Sequence, residues 1–167
     1  NEAGEELAAG ELGELWVRGP IVVNGYWQRP EATSEAFTDG WFHTGDVGRI
    51  DEQGFIYLVD RMKDIIIRGG ENIYCAEVEA ALSEHAAVVV ACVFGLPDEI
   101  LGEEVGAAVE VDSAEAVSEE ELRKFVAGRL ATYKVPTRIW IRSDPLPMGA
   151  TGKLLKKDIK AHYIEHP

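Results

Sequence analysis

The sequence predicts an α+β protein whose two parts are built differently. In residues 1–60, short β-like runs separated by glycines predict antiparallel strands. After Asp60, apolar runs typical of buried strands alternate with amphipathic patterns typical of helices. A chain of 167 residues is long enough for a small domain joined to a piece of another domain. We therefore divide the chain into residues 1–60 and 61–167.

The strands expected in the first part are "GELWVRG" (13–19), "WFHTGDVGRID" (41–51) and "GFIYLVD" (54–60). The second and third runs are separated by "DEQG", whose Asp and Gly favour a turn. These runs predict an antiparallel β structure.

The second part is expected to be a mixed sheet with flanking helices. Val78, Ala81 and Leu82 share one helical face, and a solid apolar run suits a strand buried on both faces. Ser118 and Glu121 form a capping box before another amphipathic pattern. The expected elements are a helix over 76–85, a strand over 86–95, a loop over 96–103, a paired strand over 104–111, a helix after Ser118 with Leu122, Phe125, Val126 and Leu130 on one face, a strand over 137–142 and a helix over 154–163.

Composition excludes several classes of function. Sixteen Lys and Arg against 30 Asp and Glu give a formal charge of −14, which argues against sequence-independent binding to nucleic acid. Cys75 and Cys92 form no ligand pattern with the histidines, so we expect buried thiols, no metal site and a reducing, cytoplasmic environment. No apolar run is long enough for a transmembrane segment, and the acidic start does not look like a signal peptide.

The segment "HTGD" (43–46) places Asp46 directly after a glycine where a strand is expected to end. A carboxylate in that place can accept two hydrogen bonds from a vicinal diol such as a ribose. The alternative is ordinary turn chemistry, in which Asp bonds to its own backbone and Gly supplies a positive φ. The motif alone favours the turn.

The segment "PMGATGKLLKK" (147–157) is a Pro- and Gly-rich loop that leads to Lys153. A lysine on such a loop can place a point charge on a phosphate or carboxylate oxygen. The segment is not a Walker A loop, because Leu154 stands where that motif requires Ser or Thr. Taken alone, it is more typical of a solvated basic start of a helix.

The segment "DRMKDIIIRGGENIY" (60–74) combines a charge cluster, three isoleucines and two adjacent glycines. A strand over residues 65–68 closed by a glycine turn would explain the isoleucines and one glycine. We expect the second glycine to serve another purpose, because adjacent glycines suit places where a ligand passes close to the backbone.

In their order and spacing, these stretches resemble the C-terminal part of the adenylate-forming enzymes. That family includes acyl-CoA synthetases, aryl-CoA ligases, luciferases and the adenylation domains of peptide synthetases. The matching stretches are "GELWVRGPIVVNGYW", "DGWFHTGDVGRIDEQGFIYLVDRMKDIIIRGGENIYCAEVE" and "LPMGATGKLLKKDI", which together extend over nearly the whole chain. Within the family, "GGENIY" favours the fatty or aryl acyl-CoA ligases.

The resemblance implies nucleotide-binding and hinge residues. Asp46 would bind the ribose hydroxyls of ATP and of the acyl-adenylate, and Arg61 would contact the same ribose and phosphate region. Lys63 would be the hinge about which a small C-terminal domain turns.

The resemblance also implies roles for two segments after the hinge. Gly69, Gly70 and Glu71 would lie on the face that meets the pantetheine arm of CoA. Lys153 would be the catalytic residue that reaches the acyl carboxylate and the α-phosphate.

The implied reaction has two steps. A carboxylate attacks the α-phosphate of Mg-ATP to give acyl-AMP and pyrophosphate, and the CoA thiol then displaces AMP. The expected ligands are ATP, CoA, Mg²⁺ and a small carboxylic acid, with the Mg²⁺ ligands outside this chain.

The family's phosphate-binding loop, adenine site and acyl pocket are not found in the chain. We therefore expect a fragment that is inactive alone. Residues 1–60 would be the last strands of a large N-terminal domain, and residues 61–167 would be the whole small domain. Two alternatives stay open: a free-standing, non-catalytic α+β interaction module, or an adenylating domain that loads a carrier protein instead of CoA.

Overall fold

The computed structural model describes residue 1, residues 3–113 and residues 117–166. Within these ranges the protein has four α-helices and two β-sheets, which confirms the predicted α+β class. The chain folds as two units, Asn1–Lys63 and Asp64–Pro167. The longest described helix has 10 residues, and none of the described helices has the length and apolar character needed to cross a membrane.

The first unit is an antiparallel sheet arranged around one long strand. Its elements are β1 (Gly13–Val17), α1 (Pro30–Ala36), β2 (Phe37–Thr38), β3 (Trp41–Ile50) and β4 (Ile56–Arg61). Strand β3 pairs antiparallel with β1, β2 and β4, so the predicted antiparallel arrangement is confirmed. Helix α1 was not predicted. It begins with Pro30, a residue that suits the first helical position because it lacks the N–H that would be unpaired there.

The first unit exposes much of its apolar surface. Val47, which is 7% exposed, is the one large buried hydrophobic residue among those described in this unit. By contrast, Ile56 and Leu58 on β4 are 61% and 69% exposed. Trp27 is 87% exposed. An apolar surface of this kind is typical of a face that packs against another part of a protein.

The second unit is a mixed five-stranded sheet with helices on both faces. Its elements are β5 (Ile66–Arg68), β6 (Glu71–Ile73), α2 (Cys75–Ser83), β7 (Val88–Asp98), β8 (Gly102–Val111), α3 (Glu119–Ala127), β9 (Arg138–Arg142) and α4 (Lys156–Glu165). The strand order is β6-β5-β8-β7, and β9 pairs parallel with β8 while the other pairs are antiparallel. Strand β7 therefore lies at one edge of the sheet.

Successive residues of β7 pack into two different cores. Ala91 and Val93 belong to a cluster with buried residues of α2 and α3. Cys92 and Phe94 point to the other face, where they pack with buried residues of α4. Because side chains alternate along a strand, an unbroken apolar run is what burial on both faces requires. The prediction of a doubly buried strand is confirmed.

The connection between β7 and β8 is shorter than expected. The loop predicted over 96–103 is reduced to residues 99–101, because both strands continue into it. Pro97 lies opposite Glu103 inside the ladder. Proline is tolerated there because β7 is an edge strand, where one N–H in two has no partner strand to bond to.

Helix α3 starts where the capping box predicts. Ser118 is its N-cap, and the Ser118 Oγ accepts a hydrogen bond of 3.2 Å from the Glu121 N–H. The helix ends at Ala127, so Leu130 lies beyond it, although Leu130 still packs against the larger core. The capping box therefore predicted the start of the helix correctly, whereas the apolar pattern predicted a helical face that extends three residues too far.

Candidate functional site

Asp46 and Arg61 face each other at the paired ends of β3 and β4. The two residues are direct cross-strand partners. The Arg61 Nε lies 3.0 Å from the Asp46 Oδ1, and the side chains are 54% and 29% exposed. Among the described residues, this ion pair is the one polar interaction of the Asp46 carboxylate. Asp46 does not bond to its own backbone, so the turn interpretation of "HTGD" is wrong for its aspartate.

The backbone around Asp46 is held by other side chains. The Thr44 hydroxyl donates to the Leu15 carbonyl at 2.7 Å and accepts from the Asp46 N–H at 3.0 Å. Gly45 has a φ of +69°, a conformation that favours glycine, and its N–H donates to the Glu14 Oε1 at 2.9 Å. The Thr-Gly pair thus shapes this segment and leaves the aspartate side chain available.

Glu14 connects this segment to β1. Its second oxygen, Oε2, accepts a hydrogen bond of 2.7 Å from the Trp16 indole N–H. Trp16 stacks on His43 with ring centroids 4.0 Å apart. The His43 Nε2 is buried and has no hydrogen-bond partner within the described residues. An open cavity of about 640 Å³ lies beside Glu14, His43, Thr44 and Gly45.

Lys63 lies at the boundary between the two units. Residues Met62–Asp64 form a short 3-10 helix, and the first unit ends at Lys63. No side-chain hydrogen bond or ion pair of Lys63 is found in the described part of the chain. The predicted hinge residue is therefore the last residue of the first unit.

Gly69 and Gly70 form the two-residue turn between β5 and β6. Arg68 pairs with Glu71 across the turn, and the φ angles of the glycines are +58° and +89°. A hairpin of this type requires a positive φ at both central positions. The turn therefore accounts for both glycines, and the expectation that a turn explains only one of them is wrong. A Cβ on Gly70 would meet no atom within 4 Å, so the outer side of the turn is open.

The hairpin is fixed to the rest of the sheet on one side. The Gly69 N–H donates to the Leu101 carbonyl at 2.8 Å. Arg68 makes two hydrogen bonds of 2.8 Å with the Glu104 carboxylate, and these bonds raise the pKa of the Arg68 guanidinium. Bidentate pairs of this geometry are strong and orient both groups. Glu71, the third residue predicted on this face, is exposed.

Lys153 lies on a closed loop between β9 and α4. Met148 and Leu154 form an antiparallel bridge, and the Gly149 N–H donates to the Lys153 carbonyl at 2.8 Å. The Lys153 side chain is exposed. Within the described residues its ammonium group has no hydrogen bond and no ion pair, unlike Lys156 and Lys160 on the following helix. A backbone-held loop thus presents an unpaired positive charge.

Comparison with known proteins identifies the family. Residues 77–153 match the AMP-binding enzyme C-terminal domain. The chain is 49% identical over 157 residues to the 2-succinylbenzoate–CoA ligase of Geobacillus kaustophilus, covering 94% of this chain and 32% of that protein. The chain belongs to the adenylate-forming enzymes and contains their C-terminal domain.

Two further adenylate-forming relatives extend over almost the whole chain. The long-chain-fatty-acid–CoA ligase of Bacillus subtilis is 49% identical over 165 residues, which cover 99% of this chain and 29% of that enzyme. The ATP-bound structure of MatB from Rhodopseudomonas palustris superposes with a TM-score of 0.92 at 37% identity, over 99% of this chain and 33% of MatB. The chain thus spans about a third of the length of these relatives.

Sequence reasoning missed residues whose side chains hold the predicted site residues in place. Glu14 bonds to Gly45 although the two lie 31 residues apart, and nothing in "GELW" indicates that contact. Glu79 on α2 forms an ion pair of 2.9 Å with Lys156, the first residue of α4. The described residues contain no group of three or more His, Cys, Asp or Glu side chains that could hold a metal ion.

Proposed function

We propose that the chain is the C-terminal part of an ATP-dependent acid–CoA ligase. The enzyme would join a carboxylic acid to ATP, giving acyl-AMP and pyrophosphate, and would then transfer the acyl group to the thiol of CoA. Support comes from the family assignment and from relatives that are named as CoA ligases. ATP, CoA and Mg²⁺ are the proposed ligands, with the Mg²⁺ ligands in the part of the enzyme upstream of this chain.

Asp46 and Arg61 are the proposed nucleotide-binding residues. The Arg61 Nε lies 3.0 Å from the Asp46 Oδ1, and no hydrogen bond to the Asp46 Oδ2 is found among the described residues. A carboxylate with one oxygen held by arginine and the other open can accept a hydrogen bond from a ribose hydroxyl. The adjacent guanidinium supplies donors for a phosphate or ribose oxygen.

Lys153 is the proposed catalytic residue, and its environment is the observation that carries the proposal. Lys156, on the helix that follows, is held by Glu79 and so serves the packing of the fold. Lys153 instead remains exposed and unpaired within the described residues, on a loop whose backbone is fixed. A positive charge presented in this way can neutralise the charge that develops on the α-phosphate and the attacking carboxylate.

The remaining predicted residues have proposed roles in the second step. Lys63 would be the hinge, which is supported by its place at the end of the first unit. Gly69, Gly70 and Glu71 would meet the pantetheine arm of CoA, which is supported by the open space outside Gly70. The domain boundaries that we propose are residues 1–60 for the end of the large domain and residues 61–167 for the small domain.

We propose that the chain alone is inactive. The exposed apolar residues of β4 and the coverage of about a third of each relative support a missing upstream domain that completes the nucleotide site. The acid would be a fatty or aryl acid, since the two relatives described above act on a long-chain fatty acid and on 2-succinylbenzoate. Both cysteines are free thiols, which fits a reaction in the cytoplasm.

The test of this proposal is Lys153→Ala in the full-length enzyme, with the two half-reactions timed separately. We expect acyl-AMP formation to slow on the order of a hundredfold, because one charge aimed at a developing anion typically contributes about 3 kcal/mol. Thioester formation from preformed acyl-AMP should change little. Equal losses in both steps, with the fold intact, would show that Lys153 is structural.

The isolated chain provides a second test. It should show no exchange of labelled pyrophosphate into ATP with any fatty or aryl acid. Exchange by the purified chain would contradict the fragment interpretation. The full-length enzyme is also tested with a carrier protein. If it adenylates the acid but transfers the acyl group only to a carrier-protein thiol, the acceptor is the carrier protein and not CoA.

A further inference from the structure

The position of Lys153 depends on its backbone. Because the side chain has no partner within the described residues, the ammonium group is located only by the loop that carries it. That loop is closed at its base by the Met148–Leu154 bridge and by a 2.8 Å hydrogen bond from the Gly149 N–H to the Lys153 carbonyl. The Leu155 N–H adds a bond of 2.9 Å to the Pro147 carbonyl. The loop is therefore a small unit whose placement is set at its two ends.

The first end of the loop is held to the sheet. Leu146 is 2% exposed, and its N–H donates to the Glu110 Oε2 on β8 at 2.9 Å. The second end leads directly into α4, whose first residue is Lys156. What holds Lys156 therefore also holds the C-terminal end of the loop.

Lys156 is held by a carboxylate from another helix. Its Nζ lies 2.9 Å from the Glu79 Oε1 on α2, and the two side chains are only 22% and 24% exposed. The same Glu79 oxygen accepts a hydrogen bond of 2.8 Å from the Val93 N–H on β7. One carboxylate oxygen thus connects α2, β7 and the start of α4.

Local helix chemistry does not explain a lysine at this position. The positive end of the helix dipole lies at the N-terminus, so a cation in the first turn of α4 is unfavourable. The N-cap of α4 is Leu155, and no capping hydrogen bond from a side chain is found among the described residues. Burial opposes the charge on Lys156, but the neighbouring Cys75 and Glu79 outweigh it and raise the pKa of the ammonium above its ordinary value. The ion pair with Glu79 compensates for both unfavourable effects.

We propose that Glu79 and Lys156 are positioning residues that fix the Lys153 loop for acyl-AMP formation. This inference rests on the proposed function of Lys153. Neither residue would touch the substrate, and their effect would be confined to the step that uses Lys153. A displacement of a catalytic group by about 1 Å can cost on the order of a hundredfold in rate.

The experiment uses Lys156→Met, Glu79→Gln and Lys156→Arg in the full-length enzyme. Lys156→Met keeps the length of the side chain and removes its charge, and Glu79→Gln keeps an acceptor for the Val93 N–H. We expect both changes to slow single-turnover acyl-AMP formation about tenfold or more, and to leave thioester formation from preformed acyl-AMP within about twofold. Lys156→Arg keeps the charge and should restore most of the rate.

Lys134→Met is the matched control. Lys134 also pairs with α2, at 2.6 Å from the Glu77 Oε2, and is similarly shielded at 17% exposure, but it does not adjoin the Lys153 loop. The Lys134→Met variant should lose thermal stability as Lys156→Met does, without a selective loss of acyl-AMP formation. Adding Glu79→Gln to Lys156→Met should cost little more than either change alone, since both break the same pair.

Two outcomes would overturn the inference. One is a folded Lys156→Met enzyme with a normal rate of acyl-AMP formation, and the other is equal slowing of both half-reactions. Lys153→Ala measured in parallel separates this inference from the proposed function. If Lys153→Ala leaves adenylation intact, the proposed function fails. If Lys153→Ala abolishes adenylation while Lys156→Met and Glu79→Gln do not affect it, only the positioning role fails.

Discussion

A shift of one residue in the β3–β4 ladder sets Asp46 opposite Arg61. From Ile50 to Gly48 the ladder is regular and pairs Gly48 with Leu58, but between Val47 and Gly48 the register changes. Without that change, the same ladder would set Asp46 opposite Asp60, and two carboxylates would face each other. The bulge therefore creates the 3.0 Å contact between Asp46 and Arg61.

We expect Asp46→Asn in the full-length enzyme to raise the KM for ATP roughly tenfold to a hundredfold. The change removes the charge from an acceptor that we assign to the ribose hydroxyls, and such bonds contribute about 1.5–3 kcal/mol. In the isolated chain the stability should change by less than about 1 kcal/mol, because the ion pair is exposed. Steady-state kinetics and thermal unfolding measure the two effects.

Asp51→Ala is the control for this prediction. The Asp51 Oδ1 accepts hydrogen bonds from the Gln53 and Phe55 N–H groups, so this aspartate is structural. Its loss should lower the thermal midpoint and leave the KM for ATP unchanged. If Asp46→Asn instead destabilises the chain and leaves the KM for ATP unchanged, Asp46 has no part in nucleotide binding.

Lys63→Pro tests the hinge. Proline fixes φ near −65° and restricts the preceding Met62, so only one of two domain arrangements should remain accessible. We expect acyl-AMP formation to survive and thioester formation to be lost, because in the proposed mechanism the second step would require the domain to turn. Lys63→Ala keeps the backbone free and should behave almost as the unmodified enzyme. Similar behaviour of the two variants in both half-reactions would exclude Lys63 as the hinge.

Gly70→Asn tests the proposed CoA face. Among residues other than glycine, Asn is one of those that best tolerate a positive φ. The new side chain would enter open space, so the hairpin should remain folded. We expect thioester formation to slow at least tenfold by steric obstruction of the pantetheine arm, with adenylation unchanged. The KM for CoA and the rate from preformed acyl-AMP are the measurements.

Gly54→Asn is the control for this change, because the two glycines have similar φ angles and similar free space. Gly54 has a φ of +85°, close to the +89° of Gly70, and a Cβ there would also meet nothing within 4 Å. It should cost a similar amount of stability, about 1 kcal/mol or less, without affecting the CoA step. If both variants reduce thioester formation equally, the effect comes from strain and not from a CoA contact.

Cys92 should make the isolated chain less stable at alkaline pH. Burial raises the pKa of its thiol from 9.0 to about 12. Between these values the unfolded chain releases a proton that the folded chain keeps, so the free energy of unfolding falls as pH rises. One proton corresponds to roughly 1.4 kcal/mol per pH unit. Urea unfolding from pH 8 to pH 11 should show that the free energy of unfolding falls less steeply with pH in Cys92→Ala than in the unmodified chain. Identical slopes in the two proteins would contradict a raised pKa for Cys92.

Features determined by neighbouring residues were predictable from the sequence. Ser118 and Glu121 specify the start of α3 through a hydrogen bond that spans three positions. The apolar run in β7 specifies burial on both faces because side chains alternate along a strand. Helix α1 gave no such signal, because it has no buried residue among those described and therefore no apolar stripe.

Contacts across the sheets were not predictable. The motif resemblance selected Asp46 and Arg61 separately, but their pairing depends on the bulge, and a shift of one residue changes every partner along a ladder. Glu79 and Lys156 come from helices far apart in the chain, and their contact exists only once both helices have packed on β7. The glycine pair was misinterpreted because positive φ at both turn positions is a property of the hairpin, which the sequence pattern did not establish.

The hydrogen bond from the Val93 N–H to Glu79 also affects how β7 behaves as an edge strand. A strand at the edge of a sheet offers unpaired N–H groups on which a strand from another molecule can add, and this is a common route to aggregation. In β7, Glu79 occupies the N–H of Val93, and Pro97 has no N–H to offer. The edge is thus closed to strand addition at two positions four residues apart, so the small domain should resist forming intermolecular β-sheet along β7.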